Sequence, residues 1–189
     1  DYAIATVISI FFIITFPIIS IVIKLSSRGP IFFKQTRAGL LDKPFTIYKY
    51  RTMKVLNQDG SAEINGPRFA DRQDDRVTIA GKILRKTRLD EIPQFINILR
   101  RQMSIIGPRP ERPEFVAVIK KTMPFYSLRH LIKPGLTGWA QIKHGYSGSI
   151  DENLRKLEYD LYYIKNRGLF LDAIILLKTI NTIARLAGR

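Results

Sequence analysis

The residues best suited to chemistry lie in Arg85-Lys86-Thr87-Arg88-Leu89-Asp90-Glu91-Ile92-Pro93. Two adjacent carboxylates sit beside Arg85, Lys86 and Arg88 and are followed closely by a proline. Proline is tolerated in the first turn of a helix and disfavoured further in. A helix is therefore expected to begin near Asp90 and run to about Met103, with Gln94, Phe95, Ile98 and Leu99 on its apolar face. Asp90 and Glu91 would then stand at the positive end of the helix dipole, which favours their ionised forms. An ionised aspartate beside cations suits attack on a phosphate, or the bridging of a divalent metal to one. The plainer reading is an N-cap aspartate and a first-turn glutamate on a solvated surface.

A second candidate is Gly107-Pro108-Arg109-Pro110, where prolines fix the backbone on both sides of one arginine. A rigidly presented guanidinium is a good bidentate phosphate ligand. The plainer reading is a turn before a helix opened by Pro110 or Pro113.

The composition fits these candidates. In 189 residues, 31 lysines and arginines face 16 acids for a net charge of +15. Such an excess calls for a polyanionic partner: nucleic acid, anionic headgroups or phosphorylated substrates. Cysteine is absent, which excludes disulfides and thiolate metal sites. With only His130 and His144, a histidine zinc site is not expected.

Several elements must position these residues. Ala3 to Ile23 carry no charge, and their polar side chains are the hydroxyls of Thr6, Ser9, Thr15 and Ser20. About 21 helical residues reach roughly 31 Å, enough to cross a bilayer core. Pro17 frees the carbonyl of Ile13, which Thr15 or Ser20 could satisfy. A kinked spanning helix and a broken helix that dips in and returns are both open. Cations begin after this segment, at Lys24, which places the rest of the chain on the cytoplasmic side. Ile31–Phe33 and Phe45–Tyr48 read as strands of a hairpin, with Lys49, Arg51 and Lys54 extending its second arm as a solvated edge. Asn57 to Arg76 reads as a polar loop able to cover a site. Thr78 to Leu89 is helical, with Ile79, Ile83 and Leu84 on one face. Lys133 to Gly138 is turn-rich and leads to a strand at Trp139–Ile142. Ser149 and Glu152 have capping-box spacing for a helix with Leu154, Leu157, Leu161 and Ile164 on one face. Its tyrosines 159, 162 and 163 suit a membrane interface or a core rim. Leu169 to Leu186 closes the chain as an amphipathic helix.

Taken in order, these residues resemble the bacterial sugar transferase family, the monotopic phosphoglycosyl transferases. The resemblance runs nearly end to end. It is carried by Lys24-Leu25-Ser26-Ser27 with Gly29-Pro30-Ile31-Phe32-Phe33-Lys34-Gln35, Phe45 to Met53, Leu84-Arg85-Lys86 with Leu89-Asp90-Glu91-Ile92-Pro93-Gln94, Met103 to Pro110, Lys133 to Gly138, and Tyr159 to Ile164. Any one of these is weak; six in order with the right spacings are specific.

The resemblance implies transfer of a sugar-1-phosphate from a UDP-sugar to a membrane polyprenyl (undecaprenyl) phosphate, giving polyprenyl diphosphate sugar and UMP. This is the initiating step of a surface polysaccharide or glycoconjugate. Asp90 takes the family's nucleophile position, forming a covalent phosphosugar, and Glu91 that of its partner. Both are the implied magnesium site. Arg85, Arg109 and Lys49 take phosphate-binding positions. Many members carry an arginine shortly after Trp139-Ala140-Gln141, and here Lys143 is the nearest substitute. The implied fold is α+β. A re-entrant membrane helix broken near Pro17 occupies residues 1–28; a cytoplasmic catalytic domain of a small hairpin sheet and surface-lying amphipathic helices occupies 29–189. Phe16 stands where the family often has serine before that proline. The run ending at Asp160 looks like the larger members, so the chain reads as the catalytic portion of a longer protein. The implied location is the cytoplasmic face of the bacterial inner membrane, with membrane lipids and no nucleic acid as partners. Two other classes fit the charge alone: a membrane-tethered nucleic-acid binder, and a lipid-binding scaffold whose acids only cap helices.

Overall fold

The computed structural model describes residues 1–57, 62, 74–143 and 150–185. The fold is mixed helix and sheet. Helices α1 (Tyr2–Ser26), α2 (Ile79–Lys86), α3 (Phe95–Leu99), α4 (Pro113–Thr122), α5 (Trp139–Lys143), α6 (Ile150–Asn166) and α7 (Leu169–Ala184) accompany strands β1 (Phe32–Ala38), β2 (Pro44–Tyr50), β3 (Ser104–Ile106) and β4 (Gly135–Thr137). The strands form two separate two-stranded sheets.

The chain divides into two compact units. The first comprises Tyr2–Gln35, Tyr48–Ile96 and Thr182–Arg189; the second comprises Asp1, Thr36–Ile47 and Asn97–Asn181. The β1–β2 hairpin contributes its open end to the first and its turn end to the second.

In the first unit α1 is one 25-residue apolar helix with Pro17 inside it. At about 1.5 Å per residue it is long enough to enter or cross a bilayer. Most of its apolar side chains face outward, Ile13, Ile14 and Ile18 each more than two-thirds exposed. A helix that leaves such residues uncovered needs an apolar medium. The helix continues through Pro17 rather than stopping there. Thr15 does not reach the carbonyl of Ile13 either: its hydroxyl donates to Phe11 O at 2.8 Å and lies 3.4 Å from Phe12 O. A threonine on a helix reaches carbonyls three and four residues back, and Ile13 is only two away.

The inner side of α1 packs Ile19 and Ile23 with Tyr50 and Leu84, joined by Phe12, Phe16 and Phe32. Phe12, Phe32 and Tyr50 stack with ring centroids 5.6–6.3 Å apart. Such aromatic pairs add about 0.5–1.5 kcal/mol each beyond their burial. Helix α2 buries Ala80, Gly81 and Leu84, while Ile79 and Ile83 are exposed, reversing part of the expected face. The reason is the close approach of the α2 backbone at Gly81 to Thr52. The helix expected from Asp90 to Met103 is instead a 3-10 turn, Leu89–Gln94, followed by the one-turn α3. Pro93 lies inside the 3-10 turn, and Leu99 is exposed. So short a pair of segments has little of the dipole that a long helix would offer Asp90 and Glu91.

The second unit holds the parallel pair β3–β4, with Ser104 opposite Gly135 and Ile106 opposite Thr137. Between those strands run α4, opened by Pro113 at its first turn, and a 3-10 helix, Pro124–Leu131. Its core joins Ala38, Val116, Tyr126 and Leu157. Trp139–Lys143 is helical, not a strand: Gly138 O accepts from both Gln141 N and Ile142 N, starting a helical turn. In α6, Asn153, Leu157 and Asp160 are buried while Leu154 is exposed, so that expected face is rotated. Tyr163 is buried and Tyr162 half exposed. The cap at Ser149 and most of the Asn57–Arg76 loop lie outside the described residues.

Candidate active site

Asp90 and Glu91 are both buried, 8% and 7% exposed. The solvated-cap reading therefore fails for both. They lie in the 3-10 turn Leu89–Gln94, entered through Arg88 in the left-handed region at φ 60°. A non-glycine residue there costs about 1 kcal/mol or more, so packing on either side must hold it. Pro93 and Gln94, also buried, close the turn.

Two cations of the expected set stand in this unit. Lys49, at the end of β2, donates from Nζ to Glu91 Oε1 at 2.7 Å, both side chains largely shielded. Read from the pattern as a solvated edge residue and from the resemblance as a phosphate ligand, it is an inward charge paired with an acid. Arg85, on α2, donates from Nε to Thr52 Oγ1 at 2.9 Å. That bond depends on how α2 docks. Thr78 caps the helix, its hydroxyl accepting from Gly81 N at 2.9 Å, and Thr78 N donates to Thr52 O at 3.0 Å. A Cβ on Gly81 would fall 2.0 Å from Thr52 O. Only glycine allows this approach, and it turns Ile79 and Ile83 outward while turning Arg85 inward. Gly81→Ala is thus expected to push α2 off Thr52, at a cost of about 1–3 kcal/mol for an overpacked contact. Thermal unfolding would register this loss; an unchanged melting temperature would show that the contact yields freely.

Sequence reasoning missed Arg51, which is 4% exposed. Its Nη2 donates to Ser27 O at 2.7 Å and lies 3.3 Å from Ile23 O, while Nη1 donates to Arg28 O. The guanidinium thereby caps the C-terminal end of α1, where last-turn carbonyls lack helical partners. Burial lowers its pKa from the ordinary arginine value. Gly29, at φ 128°, leaves room for it: a Cβ there would sit 2.3 Å from Arg51 Nη1. The signal was present, a glycine after the helix and an arginine just past strand β2, but only the fold joins them.

The same unit thus contains a carboxylate pair, Lys49 on Glu91, Arg85 on Thr52, and an apolar helix anchored by Arg51. No set of three or more Asp, Glu, His or Cys residues that could hold a metal occurs among the described residues. Two carboxylates still fit magnesium, which takes hard oxygen donors, commonly one or two carboxylates with water and substrate phosphates completing the shell.

Arg109 and Lys143 lie in the second unit. Arg109 is half-buried between the buried Pro108 and Pro110. Lys143 is exposed, its Nζ 4.9 Å from the centre of the Trp139 ring. This unit also holds an ionic cluster that sequence reasoning did not foresee. Arg129, wholly buried, pairs with Asp160 at 2.7 Å, and Lys156 pairs with Glu111. Burial opposes ionisation of Glu111, but Lys156 and Arg129 outweigh it and hold its pKa down at about 2.

The bacterial sugar transferase family description matches residues 1–186. A UDP-N-acetylgalactosamine-undecaprenyl-phosphate N-acetylgalactosaminephosphotransferase of Aeromonas hydrophila is 48% identical over 87% of this chain and 38% of its own length. A UDP-glucose:undecaprenyl-phosphate glucose-1-phosphate transferase of Escherichia coli K12 is 39% identical over 95% of this chain and 38% of its own length. A sugar transferase of Bacillus subtilis 168, named as uncharacterized, is 37% identical over 86% of this chain and 74% of its own length. The chain thus spans well under half the length of the first two.

Proposed function

Since the chain belongs to the bacterial sugar transferase family, we propose that it is the catalytic portion of a membrane phosphoglycosyl transferase. It moves a sugar-1-phosphate from a UDP-sugar to undecaprenyl phosphate, the initiating step of a surface polysaccharide or glycoconjugate. Relatives named for N-acetylgalactosamine and for glucose point to a UDP-hexose or UDP-N-acetylhexosamine donor.

One observation carries this reading: the buried Asp90–Glu91 pair, with Lys49 2.7 Å from Glu91, in the compact unit that contains the apolar helix α1. Burying two carboxylates is costly unless charged partners compensate. A nucleic-acid or lipid-binding module gives no reason for that cost.

In the proposed reaction an Asp90 carboxylate oxygen attacks the phosphorus bearing the sugar. An oxygen–phosphorus bond forms as the bond to the UMP oxygen breaks, and UMP departs. A phosphate oxygen of undecaprenyl phosphate then attacks the same phosphorus, and the Asp90 carboxylate is restored. Splitting the transfer in two lets the nucleotide leave before the lipid enters. Lys49 holds Glu91 in one orientation and offsets its charge. Arg85, Arg109 and Lys143 are assigned to substrate phosphates, whose negative charge otherwise repels an aspartate. Asp90 and Glu91 would hold magnesium, which supplies further neutralisation of the diphosphate.

Residues 1–28 are proposed as a membrane helix bent at Pro17, rather than broken there, that enters and leaves by the same face, and 29–189 as a catalytic domain at the cytoplasmic face of the inner membrane. Exposed apolar residues support interfacial contact: Ile79 and Ile83 on α2, Leu169, Phe170, Leu177 and Ile180 on α7. Two measurements test the proposal. Protein in membranes, given UDP-N-acetylgalactosamine or UDP-glucose with undecaprenyl phosphate and magnesium, should release UMP, and chelation should stop the release. Absence of release with every UDP-sugar tried would defeat the enzyme reading. Because the chain has no cysteine, Tyr2→Cys and Arg28→Cys each give a single label site. Both should react with an impermeant maleimide only from the cytoplasmic side. Labelling of Tyr2→Cys from the opposite side would mean that α1 spans the membrane.

A further inference from the structure

Prolines 108 and 110 have no N–H, so the segment around Arg109 must be held largely through its carbonyls. Four in succession are held, from three places in the second unit: β4, the 3-10 helix Pro124–Leu131 and the end of β1. Pro108 O accepts from Gly135 N at 2.9 Å, and Arg109 O from Arg129 Nη2 at 2.9 Å. Pro110 O accepts from Arg37 Nη1 at 3.1 Å, and Glu111 O from Ala38 N at 2.8 Å. Two of the four donors are main-chain amides. The other two are guanidinium groups, and Arg129 is 1% exposed.

Arg129 is itself fixed on every side. Its Nε donates to Asp160 Oδ2 at 2.9 Å and its Nη1 to the Tyr126 hydroxyl at 2.6 Å. The Tyr126 ring lies under the guanidinium, 5.0 Å from centroid to carbon. A buried ion pair is a poor device for stability alone, since apolar packing of equal volume often does as well. What this one does that apolar side chains would not is aim a donor at a single carbonyl, that of Arg109. Two prolines already restrict the chain there, so a mere turn would not require the extra hold.

We infer that Arg129, oriented by Asp160, and Arg37 are positioning residues that lock the main chain at Arg109, so that its guanidinium meets a substrate phosphate from a fixed backbone. This rests on the phosphate role proposed for Arg109. Lysine at position 129 keeps the charge but has no planar fork to serve Asp160, Tyr126 and the carbonyl together.

The test is a double-mutant cycle read by UMP release from the membrane-embedded protein, with UDP-N-acetylgalactosamine or UDP-glucose varied. Arg129→Lys is expected to lower kcat/KM by roughly 10- to 100-fold, the scale on which small misplacements act. In an Arg109→Ala background the same change should cost less than about twofold, because the group it positions is gone. Arg37→Met, at a less buried site, should show the same pattern with a smaller factor and serves if Arg129→Lys does not fold. Equal losses in both backgrounds would overturn the inference and leave the Arg109 reading standing. So would Arg129→Lys and Arg37→Met both folding and keeping kcat/KM within about twofold. If Arg109→Ala itself keeps kcat/KM within about twofold of the parent, the phosphate role of Arg109 fails and the inference falls with it.

Discussion

Asp90→Asn is expected to lower UMP release on the order of 10⁴-fold or more, the scale of losing a covalent nucleophile, while leaving the fold and melting temperature nearly unchanged. The amide is almost the same size as the carboxylate and occupies a site already 8% exposed, so packing gives little reason for unfolding. What it lacks is the negative oxygen that forms the phosphosugar bond. Two controls sharpen the result. Incubation with donor alone should trap a phosphosugar on the parent protein and none on the variant. Glu91→Gln should lose less activity, because it breaks the 2.7 Å pairing with Lys49 without removing the attacking atom. Retention of activity within tenfold by Asp90→Asn would remove Asp90 from the nucleophile role, and the carboxylate pair would then serve to hold metal or structure.

The contrast between Asp90 and its surroundings shows where the sequence was legible. Composition and spacing revealed an apolar N-terminal helix, a hairpin and a carboxylate pair among cations, because those signals are local. A run without charge, a turn between β-branched or aromatic stretches and an Asp-Glu-x-Pro string need no distant information. The faces of the short helices were not legible. Ile79 and Ile83 look like core residues at helical spacing, yet Gly81 brings the backbone of α2 so close to Thr52 that the opposite side is buried. Trp139 to Ile142 is four residues long, too short for a period of two to be told from one of 3.6. The pairing of β3 with β4 joins strands about thirty residues apart through a crossover, and three-residue strands leave no alternation to read. Arg51 looked like one more surface cation. Its burial follows from the unfilled carbonyls at the end of α1, and these are visible only once helix and strand are adjacent.

Arg129 is the extreme case of a residue whose role no local pattern betrays, and its partner Asp160 supplies the largest expected effect on stability. Asp160→Asn should cost about 3–5 kcal/mol, because it leaves a guanidinium buried without its charge partner. For a chain of this size that corresponds to a fall of roughly 10 °C in melting temperature. Burial works against the charge of Arg129 and Asp160 outweighs it, raising the guanidinium above its ordinary pKa, so the arginine cannot escape by losing a proton. Glu111, 4.0 Å from Arg129 Nη1, is already engaged by Lys156 and is a weak substitute. Removing both charges with Asp160→Asn and Arg129→Met should restore part of the lost stability, since no unpaired ion remains. If the double variant melts below the parent protein by the sum of the two single losses, the two residues act independently and the pair is not the unit of stability. Recovery of stability without recovery of turnover would separate the two jobs assigned to this cluster. An apolar replacement can fill the space, but it has no donor to offer the carbonyl of Arg109.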